Sequence, residues 1–354
     1  MNLIEHPLYQ EDLKTAVAQI PNWEQFRKKT FLITGATGMI GSFLVDLLMH
    51  QNTTIDLQAK IILVSRNAQR ARQRFIRYQN DSACTFISQD INEGFAIDDK
   101  VDFILHLASN THPVAYATDP IGTILTNVIG ARHLLDWASQ TGCQRILYAS
   151  SVEIYGEALE GMDQFDEESM GYINSNTLRA GYPESKRVGE ALCQAYRKQK
   201  NLDIVIARLS RVYGPTMLNS DSKAMAQFIR NGVKNENIVL KSKGTQQYSY
   251  TYVADAVAAL LLLLNTGTDG QAYNIAGLES DCSLFEIASL IAQHSKTDVI
   301  FDLPNDVESA GFSKATKALL STQKIEEIGY APQITMQEGL SRTLEILKAI
   351  EPNK

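Results

Sequence analysis

The chain has 354 residues, of which 44% are hydrophobic and 21% charged, and its formal net charge is -7. That length suits one large domain or two intimate ones, and the composition is that of an ordinary soluble globular protein. The acidic balance argues against nucleic acid as the main partner, because no global positive field recruits a phosphate backbone; the basic run "RNAQRARQRFIR" at 66–77 is a local exception.

Residues 1–28 read as a helical extension ending near "IPNW". "TFLITGATGMIGSFLVDLLMHQ" then supplies an apolar strand, a glycine-rich turn and an amphipathic helix. "KIILVSRN", "CTFISQDI" and "VDFILHLAS" follow as strands, "TILTNVIGARHLLDWASQ" as a helix, and "RILYASS" and "DIVIARLSRVYG" as further strands. Apolar β-branched runs that alternate with amphipathic helices imply parallel strands buried on both faces, hence a doubly wound α/β sheet of the Rossmann type over 29–214. Beyond 214 the rhythm loosens into a smaller α/β lobe over 215–354, with a return to the first sheet expected near 245–278. A cleft between the two parts is the default site.

Cys84, Cys143, Cys193 and Cys282 are far apart and form no CxxC or Cys/His ligand spacing, so neither a metal site nor a disulfide framework is expected. The opening "MNLIEHPLYQEDL" carries acids where a signal peptide needs an apolar segment. The longest apolar run, "AVAALLLLL", is too short to span a bilayer and reads as a buried helix. No membrane role and a cytoplasmic location follow as expectations.

Three groups of residues carry candidate chemistry. In "TGATGMIGS", Gly35, Gly38 and Gly41 lie between a strand and a helix, where glycines let backbone approach a pyrophosphate and the helix N-terminus offers free N–H groups. At the end of the second strand an NAD site usually places an acid; Ser65 and Arg66 stand there instead, so Arg66, helped by Arg70, favours the 2′-phosphate of NADP over NAD. The alternative is that these arginines form the solvated face of the next helix. Asp90, after the third strand, is positioned for an adenine amino group.

Ser150 and Ser151 end the fifth strand, and "YPESK" places Tyr182 four residues before Lys186, on one helical face. A lysine ammonium beside a phenol favours the phenolate, which makes Tyr182 a usable base, with Ser151 binding the reacting oxygen. The same spacing also occurs by chance in many helices. Pro183 biases Tyr182 away from helical geometry and places it at the helix mouth, with Lys186 one turn inside. His106 and His112 read as structural.

"TGATGMIG", "HLAS", "YASSVEIYG", "YPESK" and "YTYVADAV" occur in the order and spacing of the extended short-chain dehydrogenase/reductases that modify nucleotide sugars, and the likeness extends over 29–347. Within that superfamily "HLASNTHPVAYATDPIGTILTNVIGA", "SVE" and "LRAGYPESKRVGEALCQAY" most resemble the UDP-glucuronate decarboxylases. The resemblance implies a catalytic set of Ser151, Tyr182 and Lys186, with Glu153 as acid/base or positioning group. It implies a cofactor site of Gly35, Thr37, Gly38, Met39, Ile40, Gly41, Arg66, Asp90, Ile91, Leu107, Ala108, Ser109 and Asn127, with Tyr182 and Lys186. For the nucleotide sugar it implies Ser109, Thr111, Ser151, Glu153, Arg179, Arg211, Lys223 and Tyr248.

The implied reaction passes through a 4-keto sugar, by reversible hydride transfer to a bound nicotinamide. A sugar 4-epimerase, an NADPH-dependent keto-sugar reductase and a non-catalytic cofactor-binding scaffold are the alternatives, and a homodimer is implied. Three departures matter. Val152 stands where related dehydratases carry an aspartate, Arg211 where relatives usually have asparagine, and Tyr248 where they usually have an arginine facing the diphosphate. Arg211, Lys223 or Lys241 could replace that last contact; the alternative is that they are surface charges.

Overall fold

The computed structural model describes residues 2–111, 116, 118–302 and 316–350. In chain order it runs α1 (Pro7–Ala18), β1 (Thr30–Thr34), α2 (Met39–Thr54), β2 (Lys60–Ser65), α3 (Ala68–Arg74), β3 (Cys84–Ser88) and β4 (Phe103–His106). Next come α4 (Pro120–Leu125), a π turn over Thr126–Gly130, α5 (Ala131–Thr141), β5 (Arg145–Ser151), α6 (Gly181–Lys200), β6 (Ile204–Leu209) and β7 (Arg211–Tyr213). The remainder holds α7 (Ala224–Val233), β8 (Ile238–Leu240), β9 (Gln247–Tyr252), α8 (Val253–Thr266), β10 (Ala272–Ile275), β11 (Asp281–Ser283), α9 (Leu284–Ser295), β12 (Val299–Phe301), β13 (Lys317–Ala318) and α10 (Met336–Ile350).

The large sheet has the strand order β3-β2-β1-β4-β5-β6-β10, all parallel. Alternate residues of each strand feed separate cores on its two faces. Phe31 and Ile33 pack with Phe43 and Leu44 of α2, whereas Leu32 joins Ile104, Leu134 and Ile146 on the other side. Burial on both faces is why these strands read as continuous apolar runs. The order reverses between β1 and β4, and a doubly wound sheet binds ligands beyond the carboxyl ends of its strands at such a point.

The return expected near 245–278 is made by β10, which pairs with β6, while α8 packs its leucines into the core. β9 does not join the large sheet. It pairs with β7, β11 and β13 in a second, small sheet, and β8 with β12 forms a third.

The N-terminal extension is docked rather than trailing. Tyr9 of α1 donates to Asp46 of α2 at 2.7 Å, and Tyr252 of β9 donates to Asp12 at 2.6 Å. Arg342 of α10 reaches Asp12 at 3.2 Å, so α1 ties both ends of the chain to the core. Burial pushes the Asp12 carboxyl up to about 7, against Tyr252 and Arg342, which pull it down. An unfolded carboxylate titrates at about 4, so between about pH 4 and 7 the folded chain binds the extra proton. Stability from this group is therefore greatest at low pH and declines as pH rises to about 7. Across that window the Tm of Asp12→Asn should gain on that of the parent; an offset independent of pH would contradict this.

Candidate functional site

The turn after β1 is dictated by glycine. Gly35 has φ of +71°, and a Cβ there would lie 2.7 Å from the Ala108 amide nitrogen, so only glycine fits. The Gly38 amide closes the turn onto the Gly35 carbonyl at 3.0 Å, and α2 begins at Met39 with no side chain capping it. The uncapped first N–H groups of a 16-residue helix therefore face a cleft of about 630 Å³. Such an end suits a diphosphate, because its free N–H groups and dipole both favour anions.

Every residue expected in the glycine turn lines this cleft, as do Arg66, Arg70, Asp90, Ile91 and the strand-end run Leu107, Ala108 and Ser109. Arg66 and Arg70 therefore have access to a ligand and are not confined to the outer face of α3. One Asp90 oxygen accepts the Asn92 amide at 2.9 Å, so part of that carboxylate is committed to its own turn. Asn127 is different. Fully buried in the π turn, it accepts from Ser109 at 2.7 Å and donates to Ser185 at 2.9 Å, and Ser185 donates to the Tyr182 carbonyl at 2.8 Å. Asn127 is not on the cleft wall and supports Ser109 from behind. π turns recur at such places because the extra residue redirects a side chain.

Ser151, Tyr182 and Lys186 all line the cleft, and the Tyr182 phenol is hydrogen-bonded to Ser151. Tyr182 is the second residue of α6 and Lys186 lies one turn inside, as expected. The expected departure of Tyr182 from helical geometry is not found: the helix begins at Gly181, so Pro183 falls in its first turn, where it is tolerated. Burial pushes the Tyr182 phenol up to about 12; a hydrogen bond with Ser151 opposes this, Glu153 adds to it, and Arg179 and Ser109 pull down. Burial also draws the Lys186 ammonium down to about 8, opposed by Cys193 and Glu190. The expected depression of the tyrosine does not show in the protein alone, where the phenol is raised and Lys186 is not among the groups that shift it. Lys186 Nζ donates to the Ala149 carbonyl at 2.8 Å, and desolvation dominates both groups.

Beyond Tyr182 a file of planar groups continues. The Tyr116 ring stacks on Tyr182 with centroids 5.0 Å apart, and the Arg179 guanidinium lies 4.8 Å over Tyr116. Arg179 then pairs with Glu153 at 2.7 Å, and the Glu153 amide is held by Ser151 Oγ at 3.2 Å. Arg211 approaches the other Glu153 oxygen at 3.9 Å and stacks 3.7 Å over the Tyr248 ring. The two departures at Arg211 and Tyr248 are therefore one contact.

Thr111, Glu153, Arg211 and Lys223 line the cleft, whereas Arg179 and Tyr248 stand one layer behind it. Lys241 pairs with Asp302 at 2.8 Å and is not on the cleft wall. His106 shares a hydrogen bond with Thr34 at 2.8 Å, and burial pulls its imidazole down to about 3, so it is a neutral structural residue. His112 lies outside the described residues. Among the described residues no group of three or more His, Cys, Asp or Glu is arranged to hold a metal ion, and no helix is long and apolar enough to cross a membrane.

Sequence reasoning missed Glu190. It sits four residues after Lys186, accepts from Ser150 Oγ and forms a two-pronged pair with Arg208 at 3.1 and 2.8 Å. The i,i+4 spacing was its only sequence signal.

The sequence profile of the NAD dependent epimerase/dehydratase family matches residues 31–276. The UDP-glucuronic acid decarboxylase 6 of Arabidopsis thaliana is 31% identical over 313 residues, 87% of this chain and 86% of that relative. The UDP-glucose 4-epimerase of Thermotoga maritima, solved with UDP-glucose, superposes with a TM-score of 0.77 at 21% identity, covering 91% of this chain and 99% of the other. The UDP-glucuronic acid 4-epimerase of Bacillus cereus, solved with UDP-glucuronic acid and NAD, does so with a TM-score of 0.75 at 22% identity, covering 91% and 99%. At those identities the two structures bear on the fold alone.

Proposed function

The chain belongs to the NAD dependent epimerase/dehydratase family, and from that membership we propose that it decarboxylates UDP-glucuronate through a 4-keto intermediate. The observation that carries this reading is Glu153, two residues beyond Ser151 and clamped by Arg179 at 2.7 Å, in a chain 31% identical to a UDP-glucuronic acid decarboxylase. Val152 offers no proton to a departing hydroxyl, which disfavours dehydration.

The glycine turn and the start of α2 hold the cofactor diphosphate, and Arg66 with Arg70 favours NADP, with NAD as the alternative. When bound, the nicotinamide accepts the C4 hydride and later returns it. Ser151 binds the sugar 4-hydroxyl and Tyr182 removes its proton, leaving a ketone β to the carboxylate. The C5–C6 bond then breaks, its electron pair enters the ketone as an enolate, and carbon dioxide leaves. Protonation at C5 by water restores the ketone, and Tyr182 gives its proton back to O4 as the pentose forms. Lys186 keeps positive charge beside the phenol, and Glu153, clamped by Arg179, serves as acid/base or positioning group near the reacting carbon.

A homodimer is part of the proposal. Ile121, Ile124 and Leu125 of α4 and Val188 of α6 are exposed on adjoining helices, an apolar face of the kind that pairs with a second copy. Four free cysteines fit a reducing, cytoplasmic setting.

The deciding experiment incubates the protein with UDP-glucuronate and catalytic NADP or NAD, followed by mass spectrometry and proton NMR. A UDP-pentose with loss of carbon dioxide is expected. The 4-epimeric uronate as sole product would replace this reading with an epimerase, and consumption of NADPH in step with product would replace it with a reductase.

A further inference from the structure

Three donors around Glu153 and Arg211 are buried without a hydrogen-bond partner among the described residues: Arg211 Nε, Arg179 Nη1 and the Tyr250 hydroxyl. Arg211 opens β7, which pairs with β9 in the register Arg211↔Tyr250, so this guanidinium and this phenol are fixed side by side on neighbouring strands. Both residues line the cleft. The Tyr248 ring, 3.7 Å away, backs the guanidinium and sets its plane. Glu153 does not consume this charge, because 3.9 Å is an ion-pair distance beyond hydrogen-bond reach. With Lys223 and Asp221 the cluster holds three cations, Arg179, Arg211 and Lys223, against two carboxylates, Glu153 and Asp221. A pocket of surplus donors and surplus positive charge is built for an anionic acceptor.

Its position says which anion. Glu153 follows Ser151 by two residues and is joined through Arg179 and Tyr116 to Tyr182. The cluster is therefore near the reacting end of the cleft, within reach of a group on the sugar carbon next to the one that Tyr182 serves. We propose that Arg211, with Tyr250 beside it, is the receptor for the sugar carboxylate and selects an acidic nucleotide sugar over a neutral one. This rests on the uronate substrate proposed above. Arg211 takes the carboxylate with its planar fork, which a lysine cannot reproduce. Glu153, a short distance behind, keeps a like charge near the carboxylate, which disfavours the bound acid relative to departing neutral carbon dioxide.

The test uses cofactor-loaded protein in a Tyr182→Phe background, so that no turnover disturbs binding. UDP-glucuronate, UDP-glucose and UDP are titrated by calorimetry into that protein and into the same protein carrying Arg211→Gln or Arg211→Lys. Arg211→Gln should weaken UDP-glucuronate by about 10- to 100-fold, the usual size of a lost charge-assisted contact, and leave UDP-glucose and UDP unchanged. Arg211→Lys should recover only part of the loss. An equal weakening of all three ligands would overturn the proposal and make Arg211 a diphosphate contact; an unchanged preference would overturn it outright. Product analysis of the unmodified enzyme separates the two readings. A preference for UDP-glucuronate that depends on Arg211, without any pentose formed, would sink decarboxylation and keep Arg211 as the acid-sugar receptor. Pentose formation with an Arg211-independent preference would do the reverse.

Discussion

Replacing Tyr182 with phenylalanine should lower turnover by about 10²- to 10⁴-fold, the usual contribution of a positioned acid or base, while fold and cofactor binding persist. The ring stacks on Tyr116 and is 6% exposed, so phenylalanine fills the same space and loses only the hydroxyl that meets Ser151 and Ser109. The active form is the phenolate, and burial holds the free protein's phenol up at about 12. Activity of the parent should therefore climb with pH through the neutral range, along a limb that Tyr182→Phe lacks. Product formation against pH, with Tm as a control for folding, measures both. A variant within tenfold of the parent would remove Tyr182 from the chemistry.

The largest stability effect is expected at Arg208. Its side chain pairs with Glu190 and also donates to the Tyr155 hydroxyl at 3.0 Å and the Glu167 carbonyl at 2.7 Å. Tyr155 passes the connection to Asn274 of β10 at 2.6 Å, so one guanidinium joins α6, β6 and β10 behind the reacting serine. Both members of the pair are 12% exposed. Arg208→Met leaves the Glu190 charge enclosed and should cost about 3–5 kcal/mol in urea unfolding. Arg208→Met with Glu190→Leu should recover part of that, because no orphaned charge remains. A single-variant cost below about 1 kcal/mol would mean that water reaches the pair, as it does at surface ion pairs.

Much of this was legible without coordinates. The β1–turn–α2 unit declares itself because three glycines fall between an apolar β-branched run and an amphipathic one. Tyr182 and Lys186 share a face through helical period alone, and Ser151 ends a strand whose direction the βα alternation sets. These features are local: each depends on residues within one turn or one strand.

What needed the tertiary structure is of another kind. The choice of Ser151 over Ser150 gains its physical reason only here: strand alternation turns Ser150 toward Glu190 while Ser151 meets Tyr182. Arg211 and Tyr248 read as two unrelated departures; the pairing of β7 with β9 makes them one stacked unit. Asn127 is buried in the π turn and tied to both Ser109 and Ser185, a bracing position that its place in the sequence does not show. Even the direction in which the Tyr182 phenol is shifted was decided by enclosure, which no spacing encodes. Backbone periodicity is set by neighbours along the chain, so the sequence by itself determined the elements and the reacting pair. Burial, cross-strand partners and the net field at a side chain sum over residues brought together from far apart, and those only the assembled fold decided.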